Sequence, residues 1–318
     1  MQNKSQAQLP KTVRGLTPSK LVVILGPTAS GKTALSIKLA LRLGSGQAKR
    51  IKCAVVSADS RQVYRGMDIG AGKITKKEMR GIPHYLLDVA SPKKRFSVSE
   101  YQKMAYKAID KIIKDERMPF LVGGSPFYLY SIIEGWQFPD IKANLRFRNQ
   151  LSKKTAQQLM AIIKQLDPAR AKQLDPNNKR RIIRAIELAK VFGKVPQVQK
   201  NPVFDCLVIG IKKEGDVLRQ AIKKRLLKRF KQGMAQEVKR LYKSGVSWKK
   251  LESFGLEYKW IANYLQNKIT YQEMLHNLER DIWRFSKQQM TWFKKDKKIR
   301  WVTNVTQAEK LVRRFFNN

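Results

Sequence analysis

Leu21-Val22-Val23-Ile24-Leu25 runs directly into Gly26-Pro27-Thr28-Ala29-Ser30-Gly31-Lys32-Thr33, and this stretch decides the fold. Five apolar residues, three of them β-branched, read as a short buried strand. The next eight have the phosphate-loop spacing, two glycines followed by a Lys-Thr pair. In that context the loop N–H groups and the helix start behind them cradle a polyphosphate, Lys32 reaches its terminal group, and the Thr33 hydroxyl holds Mg2+. Gly26, Pro27, Thr28, Ala29, Ser30, Gly31, Lys32 and Thr33 are therefore expected to bind a diphosphate or triphosphate, with Thr33 as the metal ligand.

Working outward, a helix is expected to about Leu43, and Cys53-Ala54-Val55-Val56 reads as a second strand ending at Ser57-Ala58-Asp59-Ser60. A helix over 99–114 precedes a third strand, Pro119-Phe120-Leu121-Val122, which stops at Gly123-Gly124-Ser125. Strands and helices alternating at this spacing make a parallel sheet with ligands at the carboxyl ends of its strands. From about Phe138 the pattern turns helical, with amphipathic segments over 155–166 and 179–192 separated by the turns Asp167-Pro168 and Asp175-Pro176-Asn177. Cys206-Leu207-Val208-Ile209-Gly210-Ile211 returns to the sheet, and helices follow over 217–243, 257–265 and 271–294 before a last strand near Trp301. The expected architecture is an α/β phosphate-loop core with a parallel sheet, an all-helical insertion and a helical C-terminal part. The boundaries are a disordered basic arm over 1–20, core over 21–137, insertion over 138–202 and the rest of the core over 203–318.

Composition narrows the partners. Against 24 Asp and Glu the 318-residue chain carries 66 Lys and Arg, a formal charge of +42. A surface so far from neutral gains most from a polyanion, because neutralised phosphates release counterions. Nucleic acid is the first candidate; a generally basic composition or an anionic membrane surface reads the same way from charge alone. No apolar run approaches the ~18 residues that span a bilayer. Two cysteines, Cys53 and Cys206, are too few for a disulfide framework, and with only His84 and His276 a zinc site is not expected. A reduced, cytoplasmic protein without a membrane segment follows as the expectation.

Other constellations carry chemistry. Asp59 ends a strand in a loop facing the phosphate site, where a carboxylate serves as a general base or, equally, as a turn or helix cap. Ser125 follows two glycines at another strand end and reads as a phosphate donor or a plain turn residue. No Asp follows Phe120-Leu121-Val122, where many phosphate-loop ATPases place a second acid, and this argues against an ATPase. On the 179–192 helix, Arg180, Arg181 and Arg184 share one side and Ile182, Ile183, Ile186 and Ala189 the other. The helix beginning near Val217 repeats this, with Leu218, Ile222, Leu226 and Phe230 as a core stripe beside Lys223, Lys224, Lys228 and Arg229. Each cationic face is either a solvated surface or an RNA contact, and Trp283, Trp292 and Trp301 either pack in the core or stack on bases.

The combination of the 26–33 loop, Asp59-Ser60-Arg61-Gln62-Val63-Tyr64, Gly66-Met67-Asp68-Ile69-Gly70, Pro83-His84 and Gly123-Gly124 resembles the tRNA dimethylallyltransferase family. The resemblance continues through Asp175-Pro176-Asn177-Asn178-Lys179-Arg180-Arg181-Ile182-Ile183-Arg184-Ala185-Ile186-Glu187 and Gln289-Met290-Thr291-Trp292-Phe293. It implies transfer of a dimethylallyl group from dimethylallyl diphosphate to N6 of the adenosine 3′ of the anticodon, with Mg2+ as cofactor and the tRNA anticodon stem-loop as partner. It further implies Lys32, Asp59 and Ser125 as catalytic, Arg225 beside the diphosphate, Asp59, Ser60, Arg61 and Gln62 around the flipped base, Ser125 on the phosphate side and among the tRNA-binding residues, and Arg146, Arg180, Arg181, Ile182, Ile183 and Arg184 toward the tRNA. A monomer is expected. The chain departs from the family pattern at Ser125, usually threonine, at Ala71-Gly72, usually Thr-Ala, at Gly255-Leu256-Glu257-Tyr258-Lys259, usually a shorter Gly-Tyr-Arg, and at Trp283, where arginine is common. An adenylate prenyltransferase or a nucleoside-phosphate kinase would share the loop, and a non-enzymatic RNA binder would share the charge.

Overall fold

Strand β1 (Ser19–Leu25) lies at the centre of a sheet whose strands all run the same way. The computed structural model describes residues 19–45, 50–139, 141 and 143–317. The basic arm expected over 1–20 falls outside them except for Ser19 and Lys20, which extend β1 by pairing with Phe204 and Asp205. With β2 (Cys53–Ala58), β3 (His84–Tyr85), β4 (Met118–Gly123), β5 (Trp136–Gln137), β6 (Gln199–Lys200), β7 (Phe204–Ile211) and β8 (Arg300–Val302), the described strands form two sheets. The larger is parallel, in the order β3-β2-β4-β1-β7-β8; β5 and β6 pair antiparallel by themselves.

Leu21 through Leu25 are wholly enclosed, as are all six residues of β2 and of β4 to within a few per cent. Unbroken apolar strands belong in a parallel sheet covered on both faces, where no side of the strand meets water. Helices supply that cover. Leu39, Ala40 and Leu43 of the Lys32–Ser45 helix and Ala308 and Val312 of the Val305–Asn317 helix pack on Val22, Ile24, Phe120 and Ile209. Burying each large aliphatic side chain contributes about 1.5–3 kcal/mol.

Helix ends follow local chemistry. The helix expected over 99–114 is Val98–Lys114, started by Ser97, whose hydroxyl accepts from Glu100 N while Glu100 reciprocates to the Ser97 backbone. The expected 217–243 helix is two helices, Gly215–Lys231 and Met234–Lys243, because Gly233 takes a left-handed φ of +92° that no helix interior accepts.

Residues Trp136–Asn201 pack as a separate compact unit. Its helices Leu145–Ser152, Ala156–Leu166 and Lys179–Phe192 enclose Leu151, Leu159, Ile163, Ile182, Ala185 and Ile186. Among them lies the buried carboxylate of Glu187. Glu187 accepts from Arg148 Nε at 3.0 Å and Nη2 at 2.6 Å, from Arg184 Nη1, and from Asn144 N at 2.9 Å. Burial pushes its carboxyl up, but these four donors outweigh that and bring it down to about 2. The network's contribution is therefore present above the ordinary glutamate value of 4.5 and is lost as pH falls toward 2. Glu187→Gln is expected to lower stability at pH 7 by about 3 kcal/mol, since it leaves two guanidinium groups without their charge partner. It should also flatten the acid limb between pH 4.5 and 2, read from urea midpoints of the full chain at pH 7 and pH 3.

Candidate functional site

Register brings the site together. Leu25 of β1 stands opposite Gly123 of β4, and Gly123 stands opposite Ala58 of β2, so three neighbouring strands stop at one level. The loops that leave them line one cavity of about 950 Å³, among whose walls are Thr28, Lys32, Thr33, Asp59, Ser125 and Arg225. This is the carboxyl edge of the sheet, where open α/β folds bind ligands.

In the phosphate loop the expected donors divide. Gly26, Pro27 and Ser30 are buried behind the cavity wall, and the Pro27 carbonyl accepts from Ser30 N at 3.3 Å and from Lys32 Nζ at 2.6 Å. Thr28 N is engaged by Gln289 Oε1 at 2.8 Å. Among the described residues the N–H groups of Ala29, Gly31, Lys32 and Thr33 keep no partner, and these line the cavity at the start of the Lys32–Ser45 helix. The arrangement is that of an anion cradle, with open N–H groups on the positive end of a helix.

The Asp59 loop is held from several sides. Asp59 Oδ1 accepts from Arg61 N at 2.8 Å and Gln62 N at 3.4 Å, so the residue does cap its own turn, and it lines the cavity as well. Ser57 Oγ donates to Gln62 Oε1 at 3.0 Å, Gln62 Nε2 donates to the Gly72 carbonyl at 3.2 Å, and Arg61 Nε donates to the Phe254 carbonyl at 2.8 Å. Ser125 occupies a helix N-cap position yet does not cap that helix; its Oγ accepts from Ser60 N at 3.0 Å, which leaves its hydroxyl proton for another acceptor.

Two residues outside the expected set hold the site in shape. Gln289, buried on the Tyr271–Phe293 helix, donates through Nε2 to the Gly124 carbonyl while accepting from Thr28, and so ties two cavity loops together. Glu237 accepts from the N–H groups of Asp68, Ile69 and Gly70 at 2.8, 2.6 and 3.0 Å and from Tyr258 Oη at 2.9 Å, which fixes the loop after the Asp59 segment. Gln289 lies in the stretch quoted for the resemblance, but its bridging role needs two loops brought to one helix. Arg229 was expected on an exposed cationic face and is buried instead, with Nη1 donating to the Gly70 carbonyl and to Glu257 Oε1, each at 3.1 Å. A charged residue enters a core stripe when the core offers it a carboxylate and a carbonyl.

The cavity is rich in cations. Burial pushes the Lys32 ammonium down to about 7, the Arg225 charge adds to this, and Asp59 opposes it. Arg225 is brought down to about 10, by burial first and then by Arg229, against Glu257 and Asp59. Such a site is short of negative charge and favours an anionic ligand.

Among the described residues no group of three or more His, Cys, Asp or Glu stands ready to hold a metal. The donors present, the exposed Thr33 hydroxyl in the first helical turn with Asp59 across the cavity, fit a Mg2+ held chiefly by phosphate oxygens and water.

On the helical unit, Arg146, Arg180 and Arg181 are exposed. Ile182 is wholly enclosed and so offers no RNA surface, contrary to the expectation, because it forms part of that unit's core. Ile183 packs partly against the same core, and Arg184 is bound to Glu187.

Fold and site together define a phosphate-loop α/β protein whose cavity gathers cations and open N–H groups. The IPP transferase family model matches residues 62–296. The tRNA dimethylallyltransferase 1 of Syntrophus aciditrophicus is 40% identical over 280 residues, 86% of this chain and 89% of that protein. The tRNA dimethylallyltransferase of Desulforudis audaxviator is 39% identical over 294 residues, 90% and 92% of the two chains. The crystal structure of the full-length tRNA isopentenylpyrophosphate transferase from Bacillus halodurans superposes with a TM-score of 0.69 at 35% identity, covering 94% of this chain and 96% of that one. The chain belongs to the IPP transferase family and is a transferase.

The Lys32 environment sets a proton linkage. With its ammonium down near 7, Lys32 is mostly neutral at pH 8, and a bound anion restores its charge. Inorganic diphosphate is therefore expected to take up about one more proton at pH 8 when it binds the wild type than when it binds Lys32→Met. Its affinity for the wild type should weaken as pH rises through 7 to 9, with the sign set by the lowered value. Calorimetric titrations in buffers of different ionisation heat check both.

Proposed function

We propose that this enzyme transfers the dimethylallyl group of dimethylallyl diphosphate to N6 of the adenosine 3′-adjacent to the anticodon in tRNA, releasing diphosphate. One observation carries the reading: a carboxylate, Asp59, stands in the wall of the same cavity as an open phosphate cradle, close enough that its charge acts on Lys32. A phosphate loop facing a general base suits a displacement in which the phosphates leave.

In that reaction the adenine N6 lone pair attacks C1 of the dimethylallyl group, the C1–O bond breaks, and the electron pair departs with the diphosphate. Asp59 takes the proton that N6 gives up. Lys32, Arg225 and the N–H groups of Ala29, Gly31, Lys32 and Thr33 stabilise the charge that builds on the leaving oxygen. Thr33 would hold Mg2+ alongside the diphosphate, and the ion would supply further charge neutralisation there. Ser125, with its proton unassigned by its bond to Ser60, donates on the phosphate side. The adenine is stacked in an RNA loop and must be turned out to reach the cavity, and the segment from Asp59 to Gln62, fixed by the bonds described above, receives it. Arg146, Arg180 and Arg181 serve the RNA backbone as exposed cations of the helical unit.

Labelled dimethylallyl diphosphate offered with Mg2+ to an anticodon stem-loop and, in parallel, to AMP should label the RNA alone. Label in AMP alone would favour an adenylate prenyltransferase instead, and phosphate transfer from ATP a kinase. Asp59→Asn should lower transfer by about 10²–10⁴-fold while RNA affinity persists. Stem-loop affinity should fall with salt by a log–log slope of about −0.7 for each phosphate neutralised, as the +42 balance requires; a flat dependence removes the electrostatic argument.

A further inference from the structure

Arg225 and Arg229 lie four residues apart on the Gly215–Lys231 helix, on one face and one above the other. Like charges at that spacing repel. Here the pair is also drawn into the protein: Arg229 is 7% exposed and Arg225 half-buried in the cavity wall. Among the described residues Arg229 is anchored through Nη1 alone, to the Gly70 carbonyl and Glu257. Its other terminal nitrogen, Nη2, is buried with no partner, and among the described residues Arg225 has no hydrogen bond or ion pair.

Gly72 makes this crowding possible. A methyl group at position 72 would stand 1.5 Å from Arg229 Nη2 and 2.4 Å from Arg225 Nη2, so both guanidinium groups reach into the space that an alanine would fill. The backbone there is left-handed, with φ +57°, a conformation glycine takes without strain. Position 72 is one of the departures from the family pattern, which usually carries alanine.

We propose that Arg229 is a positioning residue for the diphosphate: seated in the space left by Gly72 and anchored by Glu257 and the Gly70 carbonyl, it props the Arg225 guanidinium toward the phosphate side of the cavity. This deepens the function proposed above and rests on it. Arg225 cannot retreat toward the helix C-terminus, because Arg229 holds that space with the same charge. It reaches the edge of that loop beside Gly72 but does not bond the Gly70 carbonyl, which Arg229 holds. The face left to it is the one that Lys32 and the open loop N–H groups share, and the pair stays short of negative charge until an anion arrives there. The lowered Arg225 value, with Arg229 as its second cause, agrees with that arrangement.

The test is a double-mutant cycle on the full chain, read by titration with inorganic diphosphate and Mg2+ and by steady-state transfer to the stem-loop. Arg229→Met should weaken diphosphate binding about tenfold and raise KM for dimethylallyl diphosphate by a like factor, with KM for the RNA unchanged. In an Arg225→Met background the same substitution should cost less than about twofold, since there is nothing left to position. Gly72→Ala should reproduce the loss, and adding Arg229→Met to it should cost no more, because the methyl group then has room. An unchanged diphosphate affinity in Arg229→Met, or a full loss persisting in the Arg225→Met background, overturns the proposal. If Arg229→Met does not fold, Arg229→Gln, which keeps a hydrogen-bonding head without the charge, enters the same cycle with the same criteria. Diphosphate binding needs no transfer to be measured. A cycle that behaves as expected in a protein that transfers nothing would therefore sink the proposed reaction and leave the positioning role standing.

Discussion

Three parallel strands ending at one level is the constraint on which the rest of the structure depends. Hydrogen-bond register between β1 and β4, and between β4 and β2, sets Leu25, Gly123 and Ala58 side by side. A one-residue slip in either ladder would turn every side chain of the slipped strand to the other face and carry its loop away from the cavity. The enclosed apolar residues of all three strands forbid that slip, since each would exchange one packed neighbourhood for another. Core packing thus fixes the distance between the phosphate cradle, the Asp59 carboxylate and the Ser125 hydroxyl, although none of the three belongs to the core.

The charge pattern follows the same logic at a smaller scale. A chain this basic can leave its cations on the surface, where water and salt screen them, and most lysines here do so. Lys32, Arg225 and Arg229 are among the exceptions, drawn into or beside the cavity with Asp59 and Glu257 as the nearby acids. Removing charge from water is unfavourable, and the folded chain bears that cost at the place where the proposed diphosphate would reverse it. The helical unit shows the opposite solution. There Glu187 gathers two arginines around itself, so that Arg184 is committed to structure while Arg146, Arg180 and Arg181 stay exposed.

Rigidity around the cavity comes from amides and carboxylates that bind its loops. Gln289 joins the phosphate loop to Gly124, and Glu237 gathers three successive N–H groups of the 68–70 loop. These bonds satisfy buried backbone groups that a loop turned inward would otherwise leave unpaired. They also explain why the Gly66-Met67-Asp68-Ile69-Gly70 run resembles a motif while carrying no reactive group: its backbone is what the carboxylate reads.

The sequence by itself determined the elements and the chemistry of the loops between them. Apolar runs of five or six residues, a phosphate loop and amphipathic periods are local signals, set by neighbours along the chain, so β1, β2, β4 and the Lys179–Phe192 helix stand where their residues place them. Even the helix start at Val98 is local, set by the Ser97 and Glu100 spacing of a capping box. Only the tertiary structure decided which cation is buried and which is free. Arg229 and Lys228 are adjacent and chemically alike, yet one lies inside and the other in water. The difference lies in Gly70, Gly72 and Glu257, which are distant in sequence and are brought near by the sheet and the helices packed on it. Ile182 differs: the helical period alone sets it on the apolar side, and only the resemblance points it toward RNA. Burial is a property of the whole chain, and no window of the sequence contains it.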